Sequence, residues 1–282
     1  SEAVSGSREN QIDQARKTFY QGFVAEAMER FCLNQEVLDN SGRKHKGVLN
    51  GQDLAGWEAT YEAPLTYHYA GLEIGKCGPW SQGPVQLQTL ALLNEMGVAD
   101  WNPVSTDFVH GVTEALKLAF ADREAYYGDP DFVKVPLKKL LSREYNQERS
   151  KEISDRASLE LRPGKISGFE VRMPEFDSSG RGDERFSAMG IGEPTVSKKG
   201  ETRGDTCHVD VVDRWGNMVS ATPSGGWLQS SPVIPELGFC LNSRAQMFWL
   251  QEGLPATLAP GKRPRTTLTP SMALRDGKGY LA

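Results

Sequence analysis

The sequence has little of what marks a membrane, nucleic-acid-binding or disulfide-rich protein. It contains no run of about 18 apolar residues, the length that spans a bilayer. Its net charge of −5, with both signs interspersed, offers no basic stripe for phosphates. The four cysteines, Cys32, Cys77, Cys207 and Cys240, form no CxxC pair and so give no sign of a zinc knuckle or a disulfide scaffold. We therefore expect no membrane span, no nucleic-acid partner, no metal and no cofactor.

The N-terminus also lacks a basic segment followed by an apolar one, so no signal peptide is visible. The compartment stays open, although four unpaired thiols favour the cytoplasm over the periplasm or export. The composition, with 38% hydrophobic and 24% charged residues, is that of an ordinary globular protein.

Apolar residues at helical spacing predict several amphipathic helices. The predicted helices cover residues 10–31, 85–96, 106–127 and 137–156. Asn50 is suited to cap a further short helix, with Asp53 near the positive end of its dipole. Asp122 and Arg123, near the end of the third long helix, are interpreted as a structural ion pair.

Alternating polar and apolar residues predict strands in the remaining segments. The predicted strands cover residues 66–75, 207–212, 218–222, 271–274 and 279–282. The turn residues 213–217 join two of them into a hairpin, and Asp276-Gly277 joins another two. Residues 79–84, rich in Pro and Gly, break regular structure, and a plain turn or a cleft-lining loop both remain open for them.

The junction before Thr206 is the most informative feature. Residues 163–205, rich in Gly, Ser, Pro and charge, read as an exposed connector, and a hydrophobic strand follows directly. If the Asp205–Thr206 peptide bond were cleaved, Thr206 would carry an α-amine with a pKa near ~7.7. That amine could take the proton of the hydroxyl in the same residue, which is one way to activate a nucleophile. A Thr that opens a strand is also common as a purely structural residue.

The period of a strand divides the side chains that follow this junction between two faces. Thr206, His208 and Asp210 share one face, which could line a cleft. Val209 and Val211 share the other, and we expect them to be buried in a core.

A series of short stretches, in one consistent order along the chain, carries a family resemblance. They are Phe19-Tyr20-Gln21-Gly22, Asn50-Gly51-Gln52-Asp53-Leu54-Ala55, Ala121-Asp122-Arg123, Gly128-Asp129-Pro130-Asp131-Phe132-Val133-Lys134-Val135-Pro136, Gly204-Asp205-Thr206-Cys207-His208, Asp213-Arg214-Trp215-Gly216-Asn217, Leu241-Asn242 and Lys262-Arg263-Pro264. Together they resemble the gamma-glutamyltransferase family of N-terminal-nucleophile hydrolases over essentially the whole chain.

The resemblance implies a precursor that cuts itself before Thr206 and yields two subunits that fold together. The implied fold class is α+β, a four-layer αββα sandwich, of which this chain is a part. Residues 1–205 would be the C-terminal part of the large-subunit-like region and residues 206–282 the N-terminal part of the small-subunit-like region. The assembly of two such pairs into a homodimer is left open.

The resemblance also implies roles for single residues. Thr206 corresponds to the nucleophile, and Asp205–Thr206 to the autocleavage bond. Ser224 stands where the family has a second Thr that contacts the nucleophile's amine. Thr266 and Thr267 stand where a Ser-Ser pair holds the substrate carboxylate. The new terminal Thr would attack a gamma-glutamyl or related small carboxylate-bearing amide, and water or an amine would resolve the acyl-enzyme.

Two departures from the family pattern put gamma-glutamyl specificity in doubt. Where the family has a Gln and an Asp that grip the glutamyl head, this sequence has Arg244 and Met247. A guanidinium favours a carboxylate and repels an ammonium. Oxamate amidohydrolases and cephalosporin-acylase-like members are therefore realistic alternatives. The family's upstream arginine and downstream Gly-Gly oxyanion hole fall outside this sequence, so a non-catalytic or truncated member acting as a binding module is a further alternative.

Overall fold

The computed structural model describes residues 6–38, 42–175, 206–226 and 231–282. Asp205 and most of the predicted connector lie outside the described residues. The described residues divide into two compact units, one made of 6–61 with 225–243 and the other of 62–224 with 244–282. The predicted boundary before Thr206 is a point of chain cleavage, not a border between these compact units, and it stays a prediction.

The described elements are seven α-helices and ten strands, with short 3-10 helices at Val98–Asp100 and Arg244–Met247. The helices are α1 (Arg8–Gln21), α2 (Phe23–Asn34), α3 (Gly51–Ala55), α4 (Gly83–Glu95), α5 (Thr106–Tyr126), α6 (Leu137–Leu140) and α7 (Arg143–Ser150). The strands are β1 (Val37–Leu38), β2 (Lys44–His45), β3 (Leu65–Tyr69), β4 (Leu72–Lys76), β5 (Val209–Val212), β6 (Met218–Ala221), β7 (Val233–Ile234), β8 (Phe239–Cys240), β9 (Ser271–Arg275) and β10 (Lys278–Leu281).

The first unit holds α1 to α3 and the short pairs β1–β2 and β7–β8. The prediction of one helix over 10–31 is wrong, because the helix breaks at Gly22, whose backbone is extended at φ −107° and ψ −153°. A Cβ there would lie 3.0 Å from the Thr18 carbonyl oxygen. The predicted cap is confirmed: the Asn50 side chain accepts from the amides of Gln52 and Asp53, and Asp53 accepts from the Asn50 amide.

The second unit contains an antiparallel sheet in the order β10-β9-β4-β3, and α4 packs on β3 and β4 as well as on α5 and α7. The prediction of a single strand over 66–75 is wrong, because the chain reverses at Ala70 and Gly71. Both have positive φ, 50° and 79°, as a two-residue hairpin turn requires. The predicted Asp276-Gly277 turn is confirmed and has the same form, with φ of 51° and 72°.

Asp122 is the centre of a buried polar cluster that ties α5 to the chain after α7. Its carboxylate is fully buried and accepts hydrogen bonds from Gln88 Nε2 (2.6 Å), Tyr145 Oη (2.8 Å), Arg149 Nη2 (3.4 Å) and the Gly164 amide (2.6 Å). The predicted ion pair with Arg123 is therefore wrong: the Arg123 guanidinium lies 3.9 Å from the Glu124 carboxylate instead. Arg149, which lies on α7, supplies the positive charge that pairs with the Asp122 carboxylate.

Gly164 is a sensitive point of this cluster. A Cβ at Gly164 would lie 2.0 Å from Tyr145 Oη and 2.8 Å from Arg149 Nε. We expect Gly164→Ala to lower the free energy of unfolding by about 3 kcal/mol, because the methyl group must displace buried hydrogen-bonded groups. Urea denaturation measures this. The control Gly75→Ala, whose Cβ would meet nothing closer than 3.6 Å, should change it by less than about 1 kcal/mol. Equal effects of the two substitutions would contradict this account.

Candidate active site

The predicted hairpin after Thr206 is confirmed as β5 and β6, paired from Val209↔Ala221 to Val212↔Met218. It forms a two-stranded sheet of its own within the described part of the chain. The expectation that Val209 and Val211 are buried is wrong, since they are 49% and 51% exposed. Val209 and Val211 lie on the apolar face of the hairpin, but no other described helix or strand covers them.

Thr206 lies exposed at the start of this hairpin, and its position depends on the chain opposite. The Cys207 amide donates to the Pro223 carbonyl at 3.4 Å, which extends the pairing beyond β5 and β6. Thr206 Oγ1 consequently lies 3.2 Å from Ser224 Oγ, to which it donates a hydrogen bond. The two hydroxyl residues that the family resemblance singled out are therefore in direct contact.

Arg244 joins this pair to the second predicted group. Its Nη2 donates to Ser224 Oγ at 3.1 Å, and its Nη1 donates to Thr267 Oγ1 at 3.1 Å. The side chain is 8% exposed and belongs to the 3-10 helix that it opens. The planar guanidinium holds its donors in a fixed fork, so this geometry suits a planar carboxylate. Thr206, Ser224, Arg244 and Thr267 thus form one hydrogen-bonded row, which we call the site row.

Thr266 has a different environment from its neighbour Thr267. Its amide donates to the Trp80 carbonyl at 2.8 Å, and its Oγ1 accepts from the Leu268 amide at 3.1 Å. It is buried, and through the Leu268 amide its hydroxyl holds the backbone of its own segment. The 79–84 loop, left open between a turn and a cleft-lining loop, thereby contacts the segment that carries Thr267.

His208 and Asp210 share a face with Thr206 and brace the hairpin. His208 Nδ1 lies 2.7 Å from Thr222 Oγ1, and its Nε2 lies 2.8 Å from Asp210 Oδ2. This chain of contacts links β5 to the residue two positions before Ser224. An orienting role for His208, rather than a metal-binding one, agrees with this geometry. Within the described ranges, no three His, Cys, Asp or Glu side chains are grouped to hold a metal ion.

Asp129 and Arg263 hold the segment that leads to Thr266 and Thr267. Arg263 donates to the buried Asp129 carboxylate through Nη2 (3.0 Å), Nε (3.3 Å) and its backbone amide (2.8 Å), and it also contacts Glu62. Gly128, the residue before Asp129, lets the backbone of Pro255 pack closely, since a Cβ there would lie 2.4 Å from the Pro255 carbonyl oxygen. Sequence reasoning identified these residues as family landmarks without finding that they contact each other.

The charge of Asp129 makes this contact dependent on pH. Burial raises the pKa of its carboxyl, but the hydrogen bonds and charge of Arg263 outweigh burial and hold the pKa below its usual 3.8. We expect Asp129→Asn to lower the free energy of unfolding by about 2 kcal/mol near neutral pH. The contribution is present above pH ~3.8 and is lost as the pH falls through the lower folded pKa, so the difference from wild type should shrink there.

Denaturation of both proteins over a pH series measures this difference. Asp131→Asn is the matched control, because Asp131 is 80% exposed and lies 3.8 Å from Arg263 Nη2. It should change the free energy of unfolding by less than about 0.5 kcal/mol at every pH. A difference for Asp129→Asn that grows on acidification would contradict the assigned direction.

Comparison with known protein families shows to which family the chain belongs. The model of the gamma-glutamyltranspeptidase family matches residues 9–282. The chain belongs to the gamma-glutamyltranspeptidase family. Among curated relatives, an acylase ACY 1 proenzyme of Pseudomonas sp. strain SE83 is 33% identical over 82% of this chain and 36% of its own length. A glutathione hydrolase proenzyme of Bacillus subtilis subsp. natto is 28% identical over 87% of this chain and 40% of its own length.

Solved structures of this family confirm the predicted fold class. The structure of LmbA2991T421A matches 98% of this chain and 45% of its own, with 53% identity and a TM-score of 0.81. The cephalosporin acylase of Bacillus halodurans matches 96% of this chain and 41% of its own, with 26% identity and a TM-score of 0.68. This family of N-terminal-nucleophile hydrolases forms the αββα sandwich, of which the present chain spans about two fifths by the length of its curated relatives. In the described part of the chain, each helix is too short or too polar to cross a lipid bilayer.

Proposed function

We propose that this protein is an autoprocessed amide hydrolase that uses Thr206 as an N-terminal nucleophile and acts on a small carboxylate-bearing amide. The single observation that supports it best is the site row, in which Thr206 Oγ1 contacts Ser224 Oγ and Arg244 donates to both Ser224 and Thr267. A nucleophile and a carboxylate-binding cation are thereby joined through one hydroxyl.

The proposed chemistry begins with the precursor. The Thr206 hydroxyl attacks the carbonyl carbon of Asp205, the peptide bond to the Thr206 nitrogen breaks, and water hydrolyses the resulting ester. The products are a carboxylate at Asp205 and a free α-amine at Thr206. Large and small subunits therefore come from one precursor, as the word proenzyme in the names of both relatives also implies for them.

The mature enzyme then uses the same hydroxyl on its substrate. The α-amine, with a pKa near ~7.7, takes the proton of Thr206 Oγ1, which bonds to the amide carbonyl carbon. The C–N bond breaks, and the amine leaves with the proton. Water, or an amine acceptor, then attacks the Thr206 ester and releases the acyl group. Ser224 Oγ, 3.2 Å from Thr206 Oγ1, orients the free hydroxyl for its attack on the amide carbonyl carbon.

Arg244 is the proposed determinant of the substrate class. Each Nη of its guanidinium carries a second N–H besides the one donated to Thr267 or Ser224, and we assign this pair to the substrate carboxylate. Thr267 Oγ1, 3.1 Å from Nη1, extends the same surface. Met247, in the same 3-10 helix, offers no counter-charge to an α-ammonium. A small acid amide, such as oxamate, is therefore favoured over a gamma-glutamyl amide. The two curated relatives are named a glutathione hydrolase and an acylase, so members of this family differ in the amide they cleave.

A paired assay of the complete, processed protein tests this proposal. We expect release of ammonia from oxamate with a kcat/KM at least about tenfold above that for a gamma-glutamyl anilide, because an ammonium near Arg244 loses favourable charge. The result that would overturn the substrate class is efficient turnover of the anilide without turnover of any small acid amide. A processed protein that turns over neither class would favour the alternative of a non-catalytic binding module.

A further inference from the structure

Lys76, at the end of β4, is an unusual residue for its environment. It is 2% exposed, although a lysine side chain is rarely fully buried. Its Nζ donates to the Thr269 carbonyl at 2.6 Å and to Ser271 Oγ at 2.5 Å. Burial lowers the pKa of Lys76 to about 8, so the side chain is still mostly an ammonium at neutral pH. Within the described part of the chain Nζ is held by neutral oxygens, so its burial is not offset there by an ion pair.

The fold keeps space for this side chain. Gly83, the first residue of α4, lies against it, and a Cβ at Gly83 would be 2.8 Å from Lys76 Cβ and 2.4 Å from the Cys77 carbonyl oxygen. Any larger residue at Gly83 would have to displace the strand that carries Lys76. The start of α4 thus packs closely against the Cβ of Lys76 and the backbone that follows it.

The partners of Lys76 lie in the segment that carries Thr267. Thr269 is two residues after Thr267, and the Ser271 amide donates to Ser220 Oγ of β6 at 3.2 Å. The β4–α4 connection holds the same segment at a second point, where the Trp80 carbonyl accepts from the Thr266 amide at 2.8 Å. The segment between these two contacts is four residues long at most, so its backbone has little freedom.

We propose that Lys76 is a positioning residue that fixes the backbone of residues 266–271 and so holds Thr267 in place for the substrate carboxylate. The effect on substrate binding rests on the proposed function. Lys76 does not act on the reacting atoms: it holds the Thr269 carbonyl and the Ser271 hydroxyl, and through Ser271 it connects this segment to the strand that leads to Ser224. The ammonium is suited to this, since three N–H donors from one point can hold several oxygens at once.

Lys76→Met in the complete protein tests the proposal, because methionine keeps the length of the side chain and removes its donors. We expect the KM for a small carboxylate-bearing amide to rise about tenfold or more while kcat stays within about threefold of wild type. We also expect the backbone amides of residues 266–269 and of Ser271 to exchange their hydrogens about tenfold faster. Self-cleavage before Thr206 should be unaffected. Lys278→Met, which removes an exposed lysine of the same sheet, is the matched control and should behave as wild type.

Other results of these experiments would reject the positioning role of Lys76 or separate it from the proposed function. Unchanged KM and unchanged hydrogen exchange would overturn the positioning role, as would a loss confined to kcat, which would place Lys76 in the chemistry itself. If Lys76→Met does not fold, Ser271→Ala removes one acceptor without burying a lone charge, and it must shift KM in the same direction or the proposal is wrong. If the wild type has no Thr206-dependent turnover, the proposed function fails, whereas hydrogen exchange still accepts or rejects the role of Lys76.

Discussion

Replacing Thr206 with alanine should leave the complete precursor as a single polypeptide and lower its turnover of a carboxylate-bearing amide at least about a thousandfold. Both losses have the same cause, because the Thr206 hydroxyl is the proposed nucleophile for the Asp205 carbonyl and for the substrate carbonyl. A denaturing gel reports the first loss, and steady-state release of the amine or ammonia reports the second.

The matched control is Thr206→Ser, which keeps the hydroxyl and removes one methyl group. It should still cleave itself and retain activity within about a hundredfold of wild type, since the serine oxygen can donate to Ser224 Oγ as Thr206 Oγ1 does. Cleavage of the Thr206→Ala precursor at the same bond would contradict the role of Thr206 in processing. Full activity of that variant would contradict its role in the chemistry.

Arg244→Leu should raise the KM for a small carboxylate-bearing amide by about a hundredfold, which corresponds to roughly 2.7 kcal/mol of lost charge-assisted hydrogen bonding. A smaller fall in kcat, of about tenfold, is expected because Arg244 Nη2 also holds Ser224 Oγ, the partner of the nucleophile. Separate determination of kcat and KM distinguishes the two effects.

Arg244→Lys is the control for charge alone. An ammonium keeps the positive charge but cannot present two parallel donors, so its KM should lie between those of wild type and Arg244→Leu. In the reverse direction, Arg244→Gln combined with Met247→Asp restores the residue types that the family pattern has there, and it should improve gamma-glutamyl turnover relative to wild type. A KM unchanged in Arg244→Leu would show that the carboxylate binds elsewhere.

The comparison of sequence and structure separates local signals from those that need the folded chain. Asn50 and the Asp276-Gly277 turn were predictable because a cap and a hairpin turn depend on residues close in sequence. The reversal at Ala70 and Gly71 was not, since alanine is uncommon at positive φ and the flanking residues alternate as one strand would. The break at Gly22 was missed because the apolar spacing continues across it.

The same distinction applies to the site. The family resemblance selected Thr206, Ser224, Arg244 and Thr267, but only the fold shows that their hydroxyl and guanidinium groups form one row. Lys76 gave no sequence signal at all, because a lysine directly after a predicted strand reads as a solvent-exposed residue. Its burial depends on Gly83 and on chain almost 200 residues away, since Lys76 and Ser271 differ by 195 positions.

The most direct test of the central claim is the mass of each polypeptide in the purified, complete protein, before and after a slowly hydrolysed amide substrate is added. The account predicts a polypeptide whose N-terminal residue is Thr206 and whose mass rises by that of the acyl group, with the addition located on Thr206. An active protein with an intact Asp205–Thr206 bond, or with the acyl group on another residue, would contradict it.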